Sequence, residues 1–471
     1  MIEAIRSIFN TKKEPLTEEN KLIRDYNATR KGSGHKTFCH APSVNMYFTQ
    51  DGKVKVCCNN FYYVIGTYPQ QNISQIWNSE AAETLRGNMR KYDLSAGCGV
   101  CEYDFKGRNF NQVRARHFDS IVPSLKYPRM MEFLLTNTCN LECVMCRGEN
   151  SSLIRKNREK LPPIPSAYDK EFLNQLEEFI PHLVETRFSG SGEAFSIDLY
   201  YEIWEKIIEL NPKCLIVVQT NGTILSGRAK DMLERGNFEI GVSIDSLQKE
   251  TYESIRVNAR LDKVLANIHY FQEYSERKKK RFTLSACVMR QNWHEIPAFI
   301  NFCNDLNAVA TLHKVWWPRE SALYNLSEPE LTKIHAQLAA YIPSANGHLE
   351  EHNKQNYLYF VSVIKDWLSA APLIQKEKIL AAQMPETELL PYFKGKLSQC
   401  ILESDMPENE RADSLQLCID KLEQVFTLCN EKLTPEMILR WIAYLPAHEV
   451  LNGFKMESAE FIFLEAQREL V

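Results

Sequence analysis

The sequence predicts an α/β fold of parallel βα units, with a small cysteine-rich region before it and a helical region after it. Three observations carry this expectation. Strand-like apolar runs near residues 130–136, 183–189, 214–220, 239–244, 281–289 and 310–317 alternate with helical stretches such as 169–178, 200–210 and 261–274, and such alternation argues for parallel βα units. Polar, glycine and cysteine clusters fall at the ends of these strands, where reactive groups gather in barrels of this kind. A chain of 471 residues is also too long for one small core and suggests two or three domains.

The elements follow in order. Residues 1–35 read as an N-terminal extension rich in Lys and Glu (Lys12, Lys13, Glu14, Glu18, Glu19), a flexible arm or docking element for which disorder is the default. Residues 36–125 form the cysteine-rich domain. Its segment 47–56 reads as a β-hairpin with Asp51-Gly52 at the turn, which carries Cys57 back toward Cys39. Asn78 or Ser79 caps a helix through Ala81, Leu85 and Met89, after which the chain returns to Cys98 and Cys101. Residues 126–324 hold the βα units, beginning with a buried strand that ends at Thr136-Asn137. From about residue 325 the chain turns helical. Ser327-Glu328-Pro329-Glu330 fits a capping box, Thr434-Pro435-Glu436 a helix start with Pro at its first position, and Met437, Leu439, Ile442 and Leu445 recur at helical spacing. This region, 325–471, is expected to be a small helical domain or a cap. Its Cys400, Cys418 and Cys429 lack ligand spacing and read as buried thiols.

The cysteines elsewhere carry chemistry. Cys139, Cys143 and Cys146 follow the first βα strand as C-x3-C-x2-C. Three thiolates leave an iron-sulfur cluster one protein ligand short, so one iron is free to coordinate a substrate or cofactor; a zinc site or a group of buried thiols is the alternative from spacing alone. Upstream, Cys39, Cys57, Cys98 and Cys101 offer a complete set of four ligands, for one four-iron cluster or for a structural zinc. Cys58 adjoins Cys57 and could replace it.

Taken with four further fragments in order, the cysteine loop resembles the radical S-adenosylmethionine (SAM) superfamily. The fragments are Ser189-Gly190-Ser191-Gly192-Glu193-Ala194, Thr220-Asn221-Gly222, Ser243-Ile244-Asp245-Ser246 and the stretch from Glu250 to Arg256. The resemblance implies a partial (β/α)6 TIM-like barrel, a SAM-binding [4Fe-4S] cluster on Cys139, Cys143 and Cys146, and an electron donor such as flavodoxin or ferredoxin. It implies that Gly192 and Glu193 approach the SAM amino group, that Arg256 meets its carboxylate, and that Ser243 and Asp245 lie on the ribose side. Met145 stands beside the adenine where the family usually has an aromatic residue. Only Gly192 and Glu193 match the second motif fully; Ser191 and Ala194 depart from it. The implied reaction is reductive cleavage of SAM to a 5′-deoxyadenosyl radical that abstracts a substrate hydrogen atom. The upstream segment resembles SPASM/twitch auxiliary-cluster domains, which usually follow the barrel and here precede it. With Gly107 at a position where a further cysteine is expected, one auxiliary [4Fe-4S] cluster is implied rather than two. The resemblance spans roughly 39 to 320.

The first functional expectation is modification of a peptide or protein side chain. An enzyme of small-molecule biosynthesis is the second, and a barrel kept as a binding scaffold the third. His313, Trp316 and Trp317, at the end of the sixth strand, are candidate substrate contacts or rim packing. With 56 basic and 60 acidic residues and a net charge of −4, nothing points to nucleic acid. No apolar run is of membrane-spanning length and the N-terminus lacks a signal-type core, so no membrane partner and a cytoplasmic location are expected; there, fourteen cysteines point to metals or thiols rather than disulfides.

Overall fold

The computed structural model describes residues 18–32, 35–60, 62–124, 126–404, 408–456 and 458–470 and divides into two compact units. The first comprises residues through Phe48, Gly52–Glu132 and His182–Val184; the second comprises Thr49–Asp51, Phe133–Pro181 and the chain from Glu185 onward.

In the first unit, β1 (Asn45–Phe48) and β2 (Lys53–Lys55) pair antiparallel with Tyr47 opposite Lys55, and β2 pairs with β3 (Gly66–Thr67). Gly52 adopts φ +81°, the left-handed conformation that the expected turn demands and that a side chain resists. On the other side of β1 lies β4 (Met130–Phe133), buried at every position. The helix Glu80–Arg90 starts as expected, with Ser79 accepting from the Ala82 amide, and it buries Leu85 and Met89. The extension is corrected in part. Lys12, Lys13 and Glu14 lie outside the described residues, but Glu18–Ala28 is a helix. The reason is Tyr26, which is fully buried and stacks on Phe38 with ring centroids 5.0 Å apart; an aromatic buried this way outweighs the polar composition around it.

The second unit holds β5 (Glu185–Phe188), β6 (Leu215–Thr220), β7 (Phe238–Ser243), β8 (Phe282–Val288) and β9 (Val309–Lys314), all parallel and side by side in chain order. Among the described residues β9 does not return to β5, so the arrangement is open, as a partial barrel is. The expected run to 317 stops at Lys314, ahead of Pro318, which has no N–H to give a ladder. Helices Lys170–Phe179, Asp198–Leu210, Gly227–Arg235, Leu261–Lys278 and Ile296–Asp305 separate the strands. Trp204 shows why they pack: it is fully buried, with Phe188 at 5.5 Å and Phe238 at 5.4 Å between ring centroids. Burying a large apolar side chain contributes about 1.5–3 kcal/mol.

The open edge of β9 is sealed by a polar pair. Asn353 is fully buried; its Oδ1 accepts from the Ala310 amide at 2.8 Å and its Nδ2 donates to the Ala308 carbonyl at 3.0 Å. Asn356 donates to the Ala310 carbonyl at 2.9 Å. Unpaired edge groups thereby find partners without another strand. Both asparagines belong to the 36-residue helix His348–Gln383, which opens into the helical region expected after residue 325. Glu330 accepts from the Ser327 amide and hydroxyl, and Thr434 accepts from the Met437 amide with Pro435 behind it. Leu389, Phe393, Leu397, Leu422, Val425, Ile438 and Ile442 form a separate core there; Cys418 is buried within it, and Cys400 and Cys429 pack partly buried against it. This region reaches the carboxyl ends of the strands, since Arg147 lies over the Phe461 ring at 4.3 Å and Trp317 packs against the same ring.

Candidate functional site

The loop after β4 is held by its own backbone and by the strand ends around it. Asn137 Nδ2 donates to the Gly148 carbonyl at 2.7 Å, Ser151 Oγ to the Leu141 carbonyl at 2.7 Å, and Arg158 Nη2 to the Cys143 carbonyl at 2.8 Å. The Glu142 and Val144 amides donate to the carbonyls of Val257 and Ile255. These ties turn Cys139, Cys143 and Cys146 toward a common space in which their charges interact. Burial pushes all three thiols up, Cys139 to about 11 and Cys146 to about 12. Such thiols become anionic ligands only by giving up a proton as a metal arrives.

Gly192 shows why that motif needs glycine. Its φ is +68°, and a Cβ there would lie 2.7 Å from the Thr138 carbonyl oxygen and 3.0 Å from that of Thr136. The close approach lets the Glu193 amide donate to the Thr138 carbonyl at 2.7 Å. Glu193 is buried, and its carboxylate accepts from Thr220 Oγ1 at 2.6 Å, the Asn221 amide at 2.6 Å and the Phe195 amide at 3.2 Å. Burial raises its pKa, while these donors and Arg256 pull it back.

Arg256 is buried rather than solvated. Its Nε pairs with Asp245 Oδ2 at 2.7 Å, and its Nη1 lies 4.0 Å from Cys143 Sγ. Asp245 Oδ1 accepts from the Cys287 amide at 2.8 Å. Ser243, half-buried, accepts at its hydroxyl from Gln219 Nε2. Met145 packs with Ile255, Met289, Val315, Val144 and Cys287. Thus Cys139, Cys143, Cys146, Glu193, Arg256 and Asp245 form one electrostatically coupled group, with Gly192 beneath it. His313 and Trp316 are exposed at the end of β9, and Trp316 and Trp317 make aromatic contacts to Tyr324, Trp367 and Phe461.

Sequence reasoning passed over Cys287 and Arg158. Cys287 ends β8 within range of the Cys143 and Cys146 charges, with its thiol pushed up by burial. Its place near the carboxyl end of a strand was the available signal.

In the first unit, Cys39, Cys57, Cys98 and Cys101 line one cavity together with Phe38, Pro42, Val56, Met89, Arg114 and Phe118. Cys57 is among the lining residues, and Cys58 interacts electrostatically with Cys57 and Cys101 beside it. Burial pushes Cys39 and Cys57 well up and Cys98 to about 12; the Ala115 and Arg114 amides moderate the rise at Cys101. Beside the cavity, His35, His40 and Asp119 bring ligand atoms within 4.8 Å of one another. Asp119 is clasped there by Arg30, with Nη2 to Oδ1 at 2.5 Å and both side chains fully buried, so the carboxylate already has its cation.

Among the described residues that trio is the one set of three or more His, Cys, Asp or Glu ligand atoms lying within 4.8 Å of one another. Three and four thiols are donor sets that iron-sulfur clusters take, with one thiolate to each iron. Buried thiols, the cradle under Gly192 and the buried Arg256 and Asp245 fit the three-cysteine group to a cluster with an ionic ligand. The four-cysteine cavity fits a closed cluster.

Comparison with known proteins agrees. Residues 133–303 match the radical SAM superfamily and residues 39–102 match an iron-sulfur cluster-binding domain, SPASM. Curated relatives include the AdoMet-dependent heme synthase of Methanosarcina barkeri, 27% identical over 39% of this chain and 49% of that protein, and a GTP 3′,8-cyclase of Limosilactobacillus fermentum, 26% identical over 38% and 53%. The chain spans about half the length of these relatives. Among solved structures, Streptococcus suis SuiB bound to the precursor peptide SuiA is 13% identical, covering 56% of this chain and 59% of that one with a TM-score of 0.34. The enzyme anSMEcpe with bound AdoMet is 16% identical over 45% and 59%, also with a TM-score of 0.34.

Proposed function

The chain belongs to the radical SAM superfamily and carries a SPASM iron-sulfur domain ahead of its radical SAM domain, and from this premise we propose that it is an enzyme that modifies a peptide or protein side chain by hydrogen-atom abstraction. The observation that carries the reaction class is the three-thiol loop, with Glu193, Arg256 and Asp245 buried around it. A [4Fe-4S] cluster with SAM supplies one-electron cleavage of the sulfonium and a hydrogen-abstracting carbon radical; the protein supplies position and exclusion. Cys139, Cys143 and Cys146 hold the cluster and leave one iron to the SAM amino and carboxylate groups. Gly192 lets the backbone approach, and the Glu193 carboxylate, which already accepts from Thr220, Asn221 and Phe195, would accept a hydrogen bond from the SAM amino group. Arg256 offers its Nη groups to the carboxylate while Asp245 holds its Nε. Ser243 lies on the ribose side, and Met145 packs against the adenine with its flexible thioether. Cys39, Cys57, Cys98 and Cys101 would hold the auxiliary cluster, which would supply an electron acceptor or a docking point for substrate. A flavodoxin or ferredoxin supplies the reducing electron.

The SPASM match supports a peptide or protein substrate. The heme synthase and the GTP cyclase among the relatives favour a second reading, a small-molecule substrate. The test is 5′-deoxyadenosine release by anaerobically reconstituted, dithionite-reduced protein, with a macromolecular extract fraction or with its small-molecule filtrate. Stimulation by the macromolecular fraction supports the first reading, stimulation by the filtrate the second. A scaffold is expected to give no cleavage with either fraction.

A further inference from the structure

Two arginines interact electrostatically with the four-cysteine group, and they differ in how closely a carboxylate neutralises them. Arg30 is clasped by Asp119 and also donates to the Thr37 carbonyl at 2.6 Å. Arg114 lines the cavity itself, and its carboxylate contact is long, Nη2 to Glu132 Oε2 at 4.0 Å. Glu132 is meanwhile engaged at Oε1 by Asn45 Nδ2 at 2.6 Å. Arg114 Nε is buried and has no hydrogen-bond partner. A buried donor left unmatched is costly and calls for an explanation. The chain element that bears this side chain also turns its backbone to the site, since the Arg114 and Ala115 amides face Cys101.

Arg114 shares the lining of this cavity with Cys39, Cys57, Cys98 and Cys101. Arg114 interacts electrostatically with Cys58, Cys57 and Cys101; although burial works against its charge, these thiols and Glu132 more than offset it. Four thiolates leave a ligated four-iron cluster anionic, and every electron taken up adds to that negative charge. A guanidinium at the cavity wall therefore favours the reduced form over the oxidised one, because net charge and hydrogen bonds to sulfur tune cluster potentials.

We propose that Arg114 is a positioning residue of the auxiliary cluster, whose guanidinium compensates the thiolate charge and holds the cluster at a less negative potential. The inference rests on the reading of these cysteines as iron-sulfur ligands. The redox step is transfer of one electron to the cluster, from dithionite or an electrode in the test, with no bond made or broken and no proton required.

The measurement is a redox titration followed by EPR on the full chain carrying Cys139→Ala, Cys143→Ala and Cys146→Ala, so that only the auxiliary cluster is observed. Arg114→Met in this background is expected to lower the reduced-to-oxidised ratio at a fixed potential about tenfold, equivalent to about 59 mV for a one-electron couple. Arg114→Lys, which keeps the charge, is expected to stay close to the parent. Loss of the cluster in Arg114→Met with retention in Arg114→Lys supports the same role. Equal iron and an unchanged potential in Arg114→Met overturns the proposal, and so does equal loss of cluster in both variants, which would make the side chain a packing element. Zinc instead of iron in the parent overturns the iron-sulfur reading itself and the inference with it.

Discussion

Cys139, Cys143 and Cys146 sit on one eight-residue loop, whereas Cys39, Cys57, Cys98 and Cys101 come from stretches spread over more than sixty residues. The short loop gathers its thiols by local ties, such as the Cys146 amide donating to the Cys143 carbonyl at 3.1 Å, and it leaves one side facing Glu193, Arg256 and Asp245. The upstream set gathers only after a hairpin, a helix and a return segment have folded, and it closes on a cavity with largely apolar walls. Both groups hold thiols above their ordinary pKa by burial. What separates them is the fourth ligand and the polar groups beside it. On the proposed reading, an open iron with an acceptor for the SAM amino group and an arginine for its carboxylate would suit bond cleavage, and a closed set would suit electron storage or substrate docking.

The contrast can be broken most directly by deleting one set at a time. Cys39→Ala with Cys98→Ala is expected to remove one cluster's worth of iron while uncoupled SAM cleavage persists. Replacement of all three loop cysteines is expected to abolish cleavage and keep the upstream iron. Iron analysis and chromatography of 5′-deoxyadenosine read both outcomes, and a common loss in both variants would merge the two centres into one.

Next in size are the buried ion pairs, one beside each group. Asp245→Asn strands Arg256, and Asp119→Asn strands Arg30; breaking a buried pair on one side costs about 3–5 kcal/mol. Denaturant unfolding should show comparable losses. SAM binding by equilibrium dialysis should fall for Asp245→Asn alone, and upstream cluster content for Asp119→Asn alone. A smaller effect is expected at Gly192→Ala, where the backbone conformation and the Thr138 carbonyl oppose a Cβ. Strain of this kind costs about 1–3 kcal/mol, and weakened SAM retention with both clusters present would mark it. The smallest effect is expected at Cys58→Ser, with unchanged upstream iron, against complete loss of that cluster in Cys57→Ser. Iron loss in Cys58→Ser would move the ligand by one position.

The six strands of the βα region were legible because apolar runs and intervening helical periods are local patterns. So were the caps at Ser79 and Thr434, each set by a side chain accepting from an amide three residues on, and the cap at Ser327, where the Glu330 side chain reaches back. The helix Glu18–Ala28 was not: its polar composition hides the one residue, Tyr26, whose partner Phe38 lies beyond the helix. Arg256 could be placed by motif order, but its pairing with Asp245 joins two strand-end segments and depends on the sheet. Cys287 carried no spacing signal, since its neighbours Cys143 and Asp245 are far away in the chain.

Alone, the sequence determined the thiol spacing, the order of the motifs, the glycine where only glycine fits, and the alternation that makes parallel βα units, because each depends on residues a few positions apart. Tertiary structure decided that Asp245 rather than solvent neutralises Arg256, and that Arg30 is paired at close range while Arg114 is not. Those outcomes turn on burial and on charge at distances of a few ångströms between residues remote in the chain, where desolvation makes every partner, and every missing partner, count.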